Sequence, residues 1–307
     1  MSGEPRTVPG LRTAVERGSF YAQFAVTALF LVCLLHEWGQ PNRPTAPSGF
    51  SPWPPFFLGL LFSAALLQAC QALLGPAVRH NLTAARFKVE SEDKRVQRLC
   101  NDLNGVLFYS CSLALGHWAL RGSEFLPRSF GGQLDLAGFA RAFPVAPPHP
   151  AALCYFLFGL GHHCERLLQL LASKRGDGQF WSFYLHHVLT VTLMLVAFRG
   201  GCLRFGLPVL YLHDWVEPVI NVLKAARELR ALRPLLVPSL IALIALWGYT
   251  RVWAMLREVC PFLHTALTAP SPALAAQWPT SAYLIAAVWA LQLLNMYWFG
   301  LLLRLAH

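Results

Sequence analysis

An all-α protein threaded repeatedly through a lipid bilayer is the fold class this chain predicts, on three observations. Hydrophobic residues fill 55% of its 307 positions and charged ones only 13%, with a mean hydropathy of +0.44. A soluble domain carries about 25% charged residues, so lipid must solvate most of this surface. Apolar runs, each near the roughly 20 residues that cross hydrocarbon as a helix, follow one another along the whole chain. Proline-rich loops such as 42–55 and 144–150 separate them, where helices are expected to stop.

About eight spans are predicted. The first nineteen residues are polar and do not resemble a cleavable signal with a short apolar core. The run 20–35 therefore reads as a retained anchor, though it is short. A second run, 56–74, leads into a basic loop. Six more follow at 103–120, 151–171, 180–198, 205–223, 235–252 and 281–303, the next-to-last entered through Pro234 and Pro238. This divides the chain into residues 1–89 (a polar N-terminus, two membrane helices and part of the basic loop) and a six-helix membrane domain at 90–307. Neither an internal repeat nor a soluble domain fits between the runs.

Orientation follows from the loops. Sixteen Lys and Arg fall on the side that receives both termini, and seven on the other. Basic loops stay cytosolic, so both termini are predicted there, and the Asn81-Leu82-Thr83 sequon should remain unmodified. The net charge of +10 is spread over these loops. That spread suits an anionic membrane surface, or a phosphate-bearing substrate at it, better than nucleic acid. The eight cysteines show no CxxC spacing, which argues against a zinc cluster. Cys202 and Cys260 both fall near helix ends on the non-cytosolic side, as a disulfide or as two free thiols.

Ionisable groups inside hydrocarbon are costly and mark functional positions. Three acidic residues fall well inside the runs: Glu165, Asp214 and Glu217. His213, Asp214, Glu217, Asn221 and Lys224 are spaced by three and four, so an unbroken helix would carry them on one face. At about 1.5 Å of rise per residue, His186 and His187 lie roughly 9–11 Å from the cytosolic side, and Glu217 and Asp214 roughly 10–15 Å. Imidazoles and carboxylates thus converge in depth. Such a pair suits acyl transfer, in which an imidazole deprotonates an amine or carries the acyl group while a carboxylate fixes and stabilises it. A metal site would need spaced histidine boxes, which the chain lacks. His162–His163 with Glu165–Arg166 forms a second pair, read either as pocket lining or as structure. His36, His117 and His264 read as helix-contact residues.

The stretch 181–224 resembles the Lag motif of ceramide synthases, within the TLC-domain family of membrane proteins. His186, His187, Thr190, Leu193, Arg204, Gly206, His213, Asp214 and Lys224 match it in register without a gap. The likeness covers roughly residues 90–305, including Lys94–Arg98, Thr250-Arg251 and Tyr297-Trp298-Phe299 with Arg304. Departures are Glu217 for an aspartate, Ala197-Phe198 for Ser-Tyr, Asn221 for a glutamate, and Pro218, which should kink or loosen its helix.

The resemblance implies N-acylation of a sphingoid long-chain base by acyl-CoA to give (dihydro)ceramide, in the endoplasmic reticulum membrane. It also implies six helices in a barrel around a lipid tunnel. His186, His187, Asp214 and Glu217, with His213 of the same motif, are then the expected catalytic group. Lys174, Arg175, Lys224 and Arg227 would ring a cytosolic mouth where the CoA phosphates arrive. No cofactor or metal is expected, acyl-CoA being a co-substrate. The expected partners are acyl-CoA, the sphingoid base and membrane lipids, not nucleic acid, and a homodimer is compatible with this reading. The rival expectation is a non-catalytic family member that senses lipid or assists a translocon.

Overall fold

The computed structural model describes residues 49–83, 91–142, 148–172, 180–269 and 278–306. Nine helices are distinguished among them: α1 Trp53–Asn81, α2 Glu92–Leu120, α3 Leu136–Ala142, α4 Pro150–Ala172, α5 Phe180–Arg199, α6 Leu203–Asp214, α7 Glu217–Glu228, α8 Arg233–Thr268 and α9 Trp278–Ala306. The run 20–35 lies outside the described residues. Among the described residues, three helices are long and apolar enough to cross a membrane: α1, α8 and the part of α9 up to Arg304. The stretch His186–Arg199 of α5 is apolar but shorter. No strand occurs among the described residues beyond one isolated bridge, Leu82 to Leu229.

Two of the runs fold differently from a single regular helix. Run 205–223 is interrupted at Trp215 and Val216, giving α6 and α7. Pro218 stands in the first turn of α7; it has no N–H for the carbonyl four residues back, so the helix restarts there. Run 235–252 extends much further than its apolar core, and residues Trp247–Val259 are wound as a π-helix.

Helix neighbours define a closed circuit: α2 packs on α4, α4 on α5, α5 on α9, α9 on α8, α8 on α7, and α7 back on α2. α6 is buried on nearly every side and touches α2, α4, α5 and α8. A helix apolar all round belongs in a core, and α6 fills one end of the bundle. At the other end α7 takes a place in the circuit.

α1 stands outside this circuit, laid along α4. Two glycines set the approach. A Cβ on Gly59 would sit 2.0 Å from the Phe158 carbonyl oxygen, and one on Gly161 would sit 2.1 Å from the Phe56 carbonyl oxygen. In lipid, helices associate through such close backbone contact rather than through hydrophobic burial. Gly59 and Ser63, four apart, form the small-residue seam of α1.

Polar and aromatic contacts tie described residues at the two ends of the bundle. At one end the Thr83 amide donates to the Glu228 carbonyl at 2.9 Å and the Arg230 amide to the Asn81 carbonyl at 2.9 Å. Arg95 closes that corner with a 2.8 Å ion pair to Glu228. At the opposite end Arg204 pairs with Glu124 at 2.5 Å, and Phe139 packs edge-on against Phe262 at 5.3 Å. Cys202 and Cys260 are both buried free thiols, which decides between the two expectations for them.

Candidate functional site

Four histidines from two helices meet where α4 and α5 run side by side. His186 and His187 on α5 have ring centroids 5.4 Å apart. His187 faces His163 of α4 at 6.4 Å, and His163 lies 5.6 Å from His162. Trp298 of α9 stands edge-on to His186 at 5.5 Å. The Nδ1 atoms of His163, His186 and His187 and the Nε2 atom of His162 are buried without a hydrogen-bond partner. Orphaned polar atoms at such density are expensive in a packed interior and point to a ligand or to chemistry. The second histidine pair therefore lines the same site as the first.

Glu217 supplies the acidic side. Its Oε1 accepts from Arg251 Nη2 at 2.5 Å, and the same nitrogen donates to the His213 carbonyl at 2.8 Å. Arg251 thus bridges the break between α6 and α7, and its guanidinium lies over the Trp247 ring at 4.4 Å.

The other motif residues are held differently. The Asp214 carboxylate accepts from Ser112 and from Tyr155, both at 2.8 Å, on the far side of the helix break. No bond between Asp214 and an imidazole occurs among the described residues. His213 has both ring nitrogens engaged: Nδ1–H donates to the Val209 carbonyl at 2.7 Å, which leaves Nε2 to accept from Asn295 at 3.1 Å. That bonding fixes its tautomer and leaves no free lone pair on the ring. Asn221, on the next turn after Glu217, donates back to the Glu217 carbonyl at 2.8 Å.

At the end of the bundle near Glu228, Lys224 lies 3.9 Å from Asp102 and Arg227 lies 3.5 Å from Glu228. Both cations thus already face a carboxylate. Lys174 and Arg175 lie outside the described residues. A separate cavity of about 590 Å³, bordered by Gln71, Gly75, Arg79, His80 and Val96, shares no residue with the histidine cluster.

Sequence reasoning gave no role to Arg251, Tyr155, Ser112, Asn295 or Ser63. Arg251 carried a usable signal, a charge inside an apolar run. The small polar residues carried none, since their partners are distant in sequence.

Residues 98–304 match the family model described as the TLC domain. A sphingosine N-acyltransferase of Schizosaccharomyces pombe is 23% identical over 226 residues, 70% of this chain and 54% of that protein. A ceramide synthase of Caenorhabditis elegans is 25% identical over 150 residues, 48% of this chain and 43% of that protein. The chain spans about half the length of the curated relatives it matches.

Proposed function

From a chain that belongs to the TLC-domain family and gathers four imidazoles where α4 and α5 meet, we propose an acyltransferase that joins a sphingoid long-chain base to the acyl group of acyl-CoA. The observation that carries this is the cluster of unpartnered imidazole nitrogens on α4 and α5. The names of the two relatives support the reaction class.

In this reading the described helix circuit and α6, with the run 20–35 ahead of them, make a polytopic protein of the endoplasmic reticulum with both termini cytosolic. The acyl chain enters the space that the circuit encloses, and α6 closes its far end. His186, stabilised as imidazolium by Glu217, takes the proton of the attacking amine, or carries the acyl group in transit. His187 and His163 complete the polar lining. Arg251 holds Glu217 in place, and Asp214 organises Tyr155 and Ser112 behind the site. His213 supports the helix break rather than reacting. Lys174, Arg175, Lys224 and Arg227 meet the CoA phosphates, for which Lys224 and Arg227 would exchange their present carboxylate partners.

The test is an assay of microsomes that contain the protein, supplied with labelled acyl-CoA and sphinganine. Wild type should form the amide, His186→Ala should lose it by at least about a hundredfold, and Asp214→Ala should reduce it. Absence of amide above background in wild type would overturn the reading and favour a non-catalytic role. Equal product from His186→Ala would remove the site.

A further inference from the structure

Amide formation from acyl-CoA leaves a proton behind. A sphingoid base arrives as the ammonium R–NH3+; the C–N bond forms, the thioester C–S bond breaks, and the thiolate leaves with one amine proton as CoASH. One further proton remains for each turnover, with no change of oxidation state. It is released among buried imidazoles, where the surroundings are apolar, so it needs a route outward.

The residues beside the histidines form such a route. His162 Nδ1 lies 2.8 Å from Ser63 Oγ, and Ser63 Oγ donates to Glu165 Oε2 at 2.9 Å. A hydroxyl has a single hydrogen; given to Glu165, it leaves Ser63 to accept from His162 Nδ1–H. The Nε2 of His162 is then bare, and it is buried with no partner. His163 stands between this ring and His187. Beyond Glu165 lie polar, half-buried groups that accept no proton themselves, so Glu165 gives the proton up to water among them. Gln169 bonds the other carboxylate oxygen, and Arg166 donates to Gln169 at 3.1 Å and to the Asn101 carbonyl at 3.3 Å.

Two aromatic rings cover much of His162. Phe108 stacks on its ring at 3.7 Å and Tyr109 meets it edge-on at 5.0 Å. His163 lies beside it on the same helix. Ser63 itself is fully buried and belongs to α1, which precedes the matched residues 98–304. The glycine seam brings it there: Ser63 follows Gly59 by one turn, and His162 follows Gly161 directly.

We propose that Ser63 passes the proton released by acyl transfer from His162 to Glu165, making α1 part of the working site. This rests on the acyltransferase reading above. Protonation of His162 Nε2 from the cluster is followed by loss of Nδ1–H to Ser63, while Ser63 delivers its own proton to Glu165. Ser63 touches neither substrate; it is a positioning and relay residue. The passage between His163 and His162 requires ring motion or one bridging water.

The experiment compares wild type, Ser63→Ala and Glu165→Gln as full-length protein in microsomes, in H2O and D2O, at equal protein amount. Ser63→Ala should lower kcat by about ten- to a hundredfold, leave KM for both substrates unchanged, and raise the solvent isotope effect on kcat. Glu165→Gln should do the same, because an amide cannot accept the proton. Undiminished kcat in Ser63→Ala overturns the relay while leaving the acyltransferase reading intact. So does a loss of kcat without a rise in isotope effect, or a change confined to KM. If neither variant accumulates, wild type decides through the dependence of kcat on deuterium fraction: a curved plot, with more than one proton in flight, supports the relay, and a straight one overturns it. Wild type that forms no amide removes both readings together.

Discussion

Glu217 and Arg251 show how one pair of residues can tie stability to the proposed reaction. The Arg251 side chain is 5% exposed and that of Glu217 27%, so the carboxylate compensates a guanidinium that water scarcely reaches. Glu217→Gln strands the guanidinium and should cost about 3 kcal/mol, seen as a lower unfolding temperature in detergent; adding Arg251→Met should restore much of it without restoring activity. Asn295→Leu removes the donor to His213 Nε2 and should cost about 1–2 kcal/mol, with substrate KM unchanged in the microsome assay. The imidazole pair on α5 and Glu217 were legible because ionisable groups stand out in an apolar run. Ser63 was not, because a serine in hydrocarbon sequence is unremarkable until its partner, ninety-nine residues away, is known. The same holds for Ser112 and Tyr155, whose role is defined only by Asp214.

Among the elements, the apolar runs marked where helices form because length and hydropathy alone determine a membrane helix. Their mutual arrangement was less legible. An unbroken helix through 205–223 would place Asp214 and Glu217 on one face, three residues apart. The restart at Pro218 instead sends Asp214 toward Ser112 and Tyr155 and Glu217 toward Arg251. Pro218 was the visible sign of that break, although the new facing of each carboxylate depends on tertiary packing. The α1–α4 contact was silent for a related reason: glycines acquire meaning only against a particular backbone. Gly161→Ala places a methyl carbon against the Phe56 carbonyl and should destabilise by about 1–3 kcal/mol. The measurement is thermal unfolding in detergent, and loss of activity should accompany it because Ser63 moves with α1.

On the scale of the molecule, the corner formed by Asn81, Arg95 and Glu228 ties the connections after α1 and α7 to the same end. The positive-inside argument puts that end in the cytosol, so digestion with an endoglycosidase should leave the mobility of the protein unchanged. A shift would reverse the orientation. Burial alone would raise the Glu228 carboxyl, but the hydrogen bond and charge of Arg95, with Arg98 and Arg227, outweigh it and hold the group below its usual value. Its contribution is therefore present above the ordinary carboxylate range and is lost as pH falls through the depressed folded value. Glu228→Gln should flatten the decline in unfolding temperature below roughly pH 5.

The seam between Gly59 and Gly161 bears on how far the protein can be shortened. Trimming to residues 98–304, the stretch that matches the family model, would discard α1 and leave a notch along α4. A phospholipid tail could fill that notch but offers no hydroxyl to His162 or Glu165. The proposed relay predicts slow turnover for such a fragment wherever it accumulates folded.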